Sequence, residues 1–447
     1  MTIDRQTIKG KLQIAALSAA VTALPFSIKV CHWALILYIL LWCTEGKWRE
    51  KFAVLRRSML LQVLMAFAAV LLVGMLYTEN KTEGWLSLDK KIFFFVAPLV
   101  LATSEIKFTK AEIRIVLYFF VATCFVATVL CLTNSVQLAS QYTGSPGAVT
   151  YLNLSDFKLL NPEAADRWFF FSYLGLANGI GLHPAYLSMY LVFCILFLLS
   201  ELSEVKYSNT IVKNVTRGLI VYFSLFVMCL SSRIMILSLM LIYLSMIIVN
   251  LSKFASKKNA FGFLFLVLLC LSMLYINPVT KYKNVQEVLR TSFISGEKMH
   301  TNTSTQIRVA LLWLGYKSLM QINLFTGAGT GDVTDVMKKT SDVYGVTNIH
   351  NTNDPHNQYM YVAIAVGVTG LLVFVACLAL PFLMALSQRD YLLMGFLFLF
   401  AALCVSETVL ERQKGVAFFA LFFPILAFHR QAFHAYPFTL KISSARS

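Results

Sequence analysis

Apolar runs long enough to cross a lipid bilayer recur along this chain, and they constrain its fold more than any other feature. A hydrocarbon core roughly 30 Å thick is crossed by about 20 apolar residues in a helix. The backbone polar groups of such a run must be satisfied internally, which favours helices. We predict about twelve helical spans, at residues 12–28, 30–44, 59–77, 92–104, 113–133, 184–200, 218–231, 233–250, 260–276, 358–386, 391–407 and 415–429. The second and fourth are short, which is typical of tilted or partly re-entrant segments.

The composition agrees with this fold class. Charged residues make up only 13% of the 447 residues, whereas soluble domains carry about 25%. The sequence therefore predicts an all-α polytopic membrane protein, with residues 1–447 as a single integral membrane domain. The polar segment Met1 to Lys11 is followed by a helix that meets no small-residue cleavage site, so we predict that this first span is retained.

Basic residues in the short loops predict the orientation of the helices. Lysine and arginine concentrate in residues 45–57, 105–114, 206–217 and 252–259, which places these loops in the cytoplasm. An even number of spans then leaves both termini cytoplasmic. The net charge of +16 is explained by this topology and by contact with anionic lipid headgroups, so nucleic acid is not an expected partner.

Two predicted outer loops, residues 134–183 and 277–357, are too long to be simple connections, and loops of this length are usually functional. The second contains TSTQIRVALLWLGYKSLMQIN, an amphipathic helix with Ile307, Leu311 and Leu314 on its apolar side. The glycine-rich stretch FTGAGTGD follows it. The nine cysteines have no metal-ligand or disulfide spacing, so neither kind of site is predicted.

His356 is the strongest candidate for chemistry. In the stretch DPHN we predict Asp354 as the N-cap, Pro355 as the first helical residue and His356 in the first turn. The positive end of a helix disfavours imidazolium and attracts phosphate, so a neutral ring there is suited to act as a base. The alternative is an interfacial histidine hydrogen-bonded to headgroups or to the loop.

Two arginines are the candidates for binding an anion. Arg233 lies between two apolar runs in CLSSRIMILSL, where an arginine faces the bundle interior or a wet cavity unless it reaches the headgroups. Arg308 lies on the amphipathic helix, where its guanidinium is able to bind a phosphate in a fork geometry. An exposed helix arginine is the alternative for Arg308.

Other polar residues are assigned supporting positions around these three. They are Asn357, Glu407, Arg412 and Lys29, of which Glu407 and Arg412 belong to SETVLERQKG, a stretch also explained by a solvated turn. His183, in GLHPAYLSMY, is interpreted as a device that starts a helix rather than as a second base. Under the predicted topology His356, Arg233 and Arg308 share the outer face. One base and two cations suit displacement of a phosphate leaving group without a metal or other cofactor.

These residues carry a family resemblance. PHNQYMYVAIAVGVTG contains His356-Asn357, nine residues, Gly367, two residues and Gly370, which resembles the signature of the O-antigen ligase and polymerase superfamily. CLSSRIMILSL, TQIRVALLWLGYKSLMQINLFTGAGTGD and SETVLERQKGVAFFALFF agree with it in order and spacing. The likeness covers roughly residues 60 to 425.

The resemblance implies a GT-C-like glycosyltransferase of the bacterial inner membrane with a periplasmic active site. Its donor would be a glycan on undecaprenyl diphosphate, and its acceptor a hydroxyl of lipid A-core in lipopolysaccharide biosynthesis. It assigns the base to His356 and the diphosphate-binding role to Arg233 and Arg308.

Two alternatives stay open. A polymerase of the same superfamily would use a second lipid-linked glycan as the acceptor. A transporter of lipid-linked oligosaccharides would also explain twelve spans and a cationic outer cavity, but it should show repeat symmetry and ionisable groups near the midplane.

Overall fold

The computed structural model describes residues 5–141, 170–204, 209–252, 257–276, 304–346 and 354–429. Both tails, much of the two long loops and two short connections therefore lie outside the described residues. Sixteen α-helices occur in the described part, together with short 3₁₀ turns at 178–180 and 409–411. In chain order they are α1 Arg5–Ala23, α2 Ile28–Cys43, α3 Trp48–Arg57, α4 Met59–Tyr77, α5 Lys81–Thr103, α6 Lys110–Gln141, α7 Tyr173–Ala177, α8 Pro184–Glu204, α9 Thr210–Leu230, α10 Arg233–Ser252, α11 Lys257–Ile276, α12 Ser304–Leu319, α13 Val333–Val343, α14 Gln358–Gln388, α15 Tyr391–Ser406 and α16 Gln413–Pro424.

Each of the twelve predicted apolar runs coincides with one of these helices, and the all-α fold class is confirmed. In the described part of the chain, five helices are long and apolar enough to span a membrane, or six if the bent pair α2–α3 counts as one. The number twelve and the GT-C-like arrangement stay predictions. Helix α6 continues past residue 134 to Gln141, and its buried residues include Ser135, whereas the predicted bounds of the first outer loop stay a prediction.

Helices α8 and α16 form the centre of the bundle. Nine-tenths of the apolar window of α8 is buried, and every residue of α16 from Gly415 to Pro424 is buried. Aromatic rings fill the space between these helices, with Tyr190 stacked on Phe418 at 5.2 Å and Phe193 beside Phe422 at 4.6 Å. Burying rings of this size is the largest apolar contribution available to a core.

Helix α14 is broken at Val366–Gly367, inside an apolar run. Gly367 has a φ of +70°, and a Cβ at this position would lie 2.2 Å from the carbonyl oxygen of Phe325. The glycine-rich segment after α12 lies along the break. Its N–H groups at 328 and 329 donate to the carbonyls of Ile364 and Ala365 at 2.8 and 2.9 Å. The broken backbone is thus satisfied by protein, as required away from water.

This contact explains why glycine is needed at the first position of the GxxG signature. It also joins the C-terminal end of the α12 region to α14. The predicted helix forms as α12, with Leu311 and Leu314 buried and Ile307 half-buried, whereas its amphipathic character stays a prediction. Arg308 on α12 is therefore held near the start of α14.

Candidate functional site

An open pocket with an empty volume of about 620 Å³ lies at one end of the bundle. Helices α8 and α10 begin there, α15 ends there, and α12 closes one side. The pocket is lined by Tyr173, His183, Ala185, Ser231, Ser232, Arg233, Ile234, Arg308, Val309, Leu312, Ser406 and Glu407. Its polar groups are thus two guanidinium groups, one imidazole, one carboxylate, one phenol and three serine hydroxyl groups, a set that suits an anionic ligand.

Glu407 joins the two kinds of predicted functional residue. Arg308 Nη2 donates to Glu407 Oε1 at 2.9 Å, and His356 Nδ1 lies 3.6 Å from Glu407 Oε2. The Glu407 side chain is only 8% exposed, whereas Arg308 is 37% and His356 22% exposed. His356 does not line the pocket itself, but lies on the other side of the Glu407 carboxylate.

The charge of Glu407 is stabilised by this arrangement. Burial acts to raise the pKa of the carboxyl, but the facing His356 imidazole and nearby positive charges, including Arg308, outweigh it. The pKa of Glu407 therefore lies below its ordinary value of 4.5. A carboxylate that stays ionised is able to orient an imidazole and to stabilise its protonated form.

The local structure at His356 differs from the prediction. The N-cap of α14 is Asn357, whose Oδ1 accepts from Met360 N at 2.9 Å, and the helix begins at Gln358. His356 precedes the cap in the left-handed region, with a φ of +47°. Asp354, predicted as the N-cap, instead accepts from the N–H of His356 at 2.9 Å in a local turn. This unusual backbone turns the imidazole toward Glu407 rather than along the helix.

The loop after α15 is tied to this turn. Thr408 Oγ1 donates to Asp354 Oδ2 at 2.6 Å, and the N–H of Leu410 donates to Gln358 Oε1 at 2.7 Å. Arg412 lies 4.0 Å from Asp354 and is exposed, so it supports the turn from outside. Asn357 adds a third link, because its Nδ2 donates to the carbonyl oxygen of Val405 at 3.0 Å. The loop that carries Glu407 and the turn that carries His356 thus form one unit.

The interpretation of SETVLERQKG as a solvated turn is wrong for its carboxylates. Glu411 forms an ion pair with Lys91 of α5, and the Lys91 side chain is only 1% exposed. Lys91 also donates to Ser87 Oγ at 2.6 Å and lies 5.5 Å from the ring of Tyr361. The loop is therefore anchored at both ends, at Glu407 by Arg308 and at Glu411 by Lys91.

Arg233 lines the pocket, where the sequence analysis placed it facing a wet cavity. Its side chain is exposed, not buried. It is the first residue of α10, directly after Ser231 and Ser232, which are buried. Ser231 has a φ of +53° and makes the tight turn between α9 and α10. Lys29 lies exposed in the first turn of α2 and is not brought to the pocket.

Three features of the site escaped the sequence reasoning. The central position of Glu407 was missed because its partner Arg308 is 99 residues away in the chain. Tyr173 was missed because it lies at the end of a long loop of mixed composition. His183 lines the pocket, although its Nδ1 also accepts from Ala185 N at 3.4 Å, in keeping with the predicted role of starting a helix.

Comparison with known proteins gives one positive finding. Residues 218–375, about a third of the chain, match the family model described as O-antigen ligase. Among curated proteins no match is found. The matched region contains Arg233, Arg308, His356 and Gly367, whereas His183 and Glu407 lie outside it. The match confirms the resemblance of this chain to the O-antigen ligase superfamily.

Proposed function

We propose that this protein is a glycan ligase of the bacterial inner membrane that acts at the periplasmic face. It transfers a glycan from undecaprenyl diphosphate to a sugar hydroxyl of lipid A-core, without a metal ion or other cofactor. The observation that carries this proposal is the arrangement of Arg308, Glu407 and His356 beside a pocket that also contains Arg233. It combines groups for a phosphate leaving group with groups for activating a hydroxyl.

The leaving group is a lipid diphosphate, which the two arginines would hold. A guanidinium has five N–H donors, so Arg308 has donors left after its hydrogen bond to Glu407. Arg233 lines the same pocket at the start of α10. Cations placed where charge develops on the departing oxygen lower the barrier by electrostatic stabilisation.

The hydroxyl of the acceptor would be activated by His356. In this proposal Nδ1, the nitrogen that faces Glu407 at 3.6 Å, carries the ring proton, and Nε2 accepts the proton of the acceptor hydroxyl. The acceptor oxygen then attacks the anomeric carbon while the bond from that carbon to the diphosphate oxygen breaks. The proton passes to Nε2, the electron pair leaves with the diphosphate, and the anomeric centre is inverted. Glu407 stabilises the imidazolium that forms.

The positions of the residues also suggest how two substrates meet. Glu407 has the arginine pocket on one side and His356 on the other. A donor diphosphate in the pocket would therefore place its sugar near the carboxylate, and an acceptor would approach from the side of His356. The 3.6 Å separation is longer than a hydrogen bond, as is common for catalytic contacts before substrate binds.

A transporter is supported by one feature, the break in α14. Broken helices in transporters leave backbone groups free to bind substrate or ions. Here the carbonyls of Ile364 and Ala365 at the break accept from the glycine-rich segment. The break is thus filled by protein, and the ionisable groups that line the pocket lie at helix ends instead of at the break, which favours an enzyme.

A reconstitution tests the proposal. Purified protein receives undecaprenyl-diphosphate-linked glycan with EDTA present, and either rough lipopolysaccharide or additional donor as the acceptor. His356→Ala should abolish transfer, whereas His32→Ala, which changes a histidine on α2 packed against Phe93, should not. Transfer to lipopolysaccharide supports the ligase, and growth of the glycan on the lipid carrier alone would identify a polymerase. Movement of the donor across liposomes without transfer would refute an enzyme.

A further inference from the structure

The site contains a second histidine that the proposed reaction does not use. His183 precedes Pro184, the first residue of α8, and it is exposed to the same pocket as Arg233, Arg308 and Glu407. It lies directly before the first turn of α8, the helix that is largely buried in the centre of the bundle. The imidazole is thus presented to the pocket by the most buried helix of the protein.

Local contacts orient the ring. Nδ1 of His183 accepts from the N–H of Ala185 at 3.4 Å. The rings of Tyr173 and Tyr186 pack edge-on against the imidazole, with centroids 6.4 and 6.3 Å away. A neutral imidazole whose Nδ1 accepts a hydrogen bond carries its proton on Nε2. Nε2 is then the nitrogen left to donate to a group bound in the pocket that His183 lines.

A neutral donor complements the charges already in the pocket. The Glu407 carboxylate accepts a hydrogen bond from Arg308 and faces His356, and the nearby His183 also favours its charged form. An anion held by Arg233 and Arg308 has phosphoryl oxygens with more lone pairs than two guanidinium groups satisfy. We propose that His183 is a third diphosphate-binding residue, which donates from Nε2 to a phosphoryl oxygen of the lipid-linked donor.

This inference rests on the proposed function, and it is tested by binding rather than by turnover. Two substitutions distinguish the role of Nδ1 from the role of Nε2. His183→Asn keeps a short acceptor for the N–H of Ala185, but removes the donor at the position of Nε2. His183→Gln places an amide N–H near the position of Nε2 and loses the short acceptor. Arg308→Gln serves as the comparison for a lost diphosphate contact.

The measurement is the Kd of the purified full-length variants for undecaprenyl diphosphate in detergent micelles, with thermal unfolding as the check on folding. We expect His183→Asn to weaken binding by roughly tenfold, as for a hydrogen bond to a charged group, and His183→Gln to bind within about threefold of the original protein. Undecaprenyl monophosphate and phosphatidylglycerol vesicles serve as controls for binding to phosphate headgroups in general. His183→Asn should weaken the binding of these two ligands less than the binding of undecaprenyl diphosphate.

The opposite pattern would overturn the proposal. If His183→Asn binds like the original protein and His183→Gln lowers the Tm, His183 only starts α8. Equal weakening for all three phosphates would make it a general headgroup contact and would also contradict the proposal. The outcomes are independent of the reaction, because weaker binding by His183→Asn supports this inference even if no transfer is detected. Transfer with unchanged binding would leave the ligase proposal intact and remove His183 from the site.

Discussion

Glu407→Gln is the most informative single change at the site. It keeps the size of the side chain and a carbonyl oxygen for Arg308, but removes the charge that faces His356. At 3.6 Å, an effective dielectric constant of about 20 gives about 4–5 kcal/mol between the carboxylate and an imidazolium. Partial exposure of His356 screens this interaction, and we take about half of it, or about 2–3 kcal/mol. At about 1.36 kcal/mol per factor of ten, kcat should fall roughly 30- to 150-fold.

The KM for the donor should not rise in this variant. Loss of the carboxylate leaves Arg308 with a weaker partner and makes the pocket more positive, so a lipid diphosphate should bind as well or better. A low kcat with an unchanged or lower KM indicates an interaction made in the transition state, not a damaged pocket. The assay is initial-rate transfer from undecaprenyl-diphosphate-linked glycan to lipopolysaccharide, with donor concentration varied.

Glu201→Gln is the matched control. Glu201 is a buried carboxylate, 4% exposed, paired with Arg114 near the far end of α8. Its distance along that helix from the pocket is about 26 Å, at about 1.5 Å per residue. This variant should lose stability but keep its kcat within about twofold. A kcat for Glu407→Gln within threefold of the original protein, or an equal loss in Glu201→Gln, would refute the role of Glu407 in positioning His356.

Three further predictions concern stability, measured as thermal unfolding of the purified protein. Gly367→Ala should be destabilised by more than about 3 kcal/mol, because its Cβ would clash with the carbonyl of Phe325. The control Gly345→Ala, where φ is +66° and the space is open, should lose about 1 kcal/mol. Equal losses would contradict the docking of the glycine-rich segment. Lys91→Met should lower the free energy of unfolding by about 3–5 kcal/mol, because it leaves Glu411 buried without its partner. The double variant Lys91→Met with Glu411→Gln should recover part of that loss. No recovery would show that packing, not charge, dominates. Because folding lowers the pKa of Glu407, the carboxylate stabilises the folded protein above the unfolded value near 4.5, and this stabilisation is lost as the pH falls below that value. The Tm of the original protein should therefore drop more between pH 7 and pH 4 than the Tm of Glu407→Gln. Parallel drops would argue against this stabilisation.

The sequence alone determined the membrane fold and the candidate ends of helices. Each apolar run became a helix because a backbone away from water has to satisfy its own hydrogen bonds. Arg233 was placed at a helix junction and Arg308 on an amphipathic helix by the same local periodicity. His356 was found from its motif, although its cap was assigned three residues too early, to Asp354 instead of Asn357.

Only the tertiary structure decided how these residues combine. The hydrogen bond from Arg308 to Glu407 joins positions 99 residues apart, and the ion pair of Lys91 with Glu411 joins positions 320 apart. Such pairs follow from which helices pack side by side, and charge pattern along the chain does not contain that information. From the sequence alone, Glu407 is therefore interpreted as part of a solvated turn. In the folded protein, the start of α14, the end of α15 and α12 pack around Glu407 and bury it at the centre of the site.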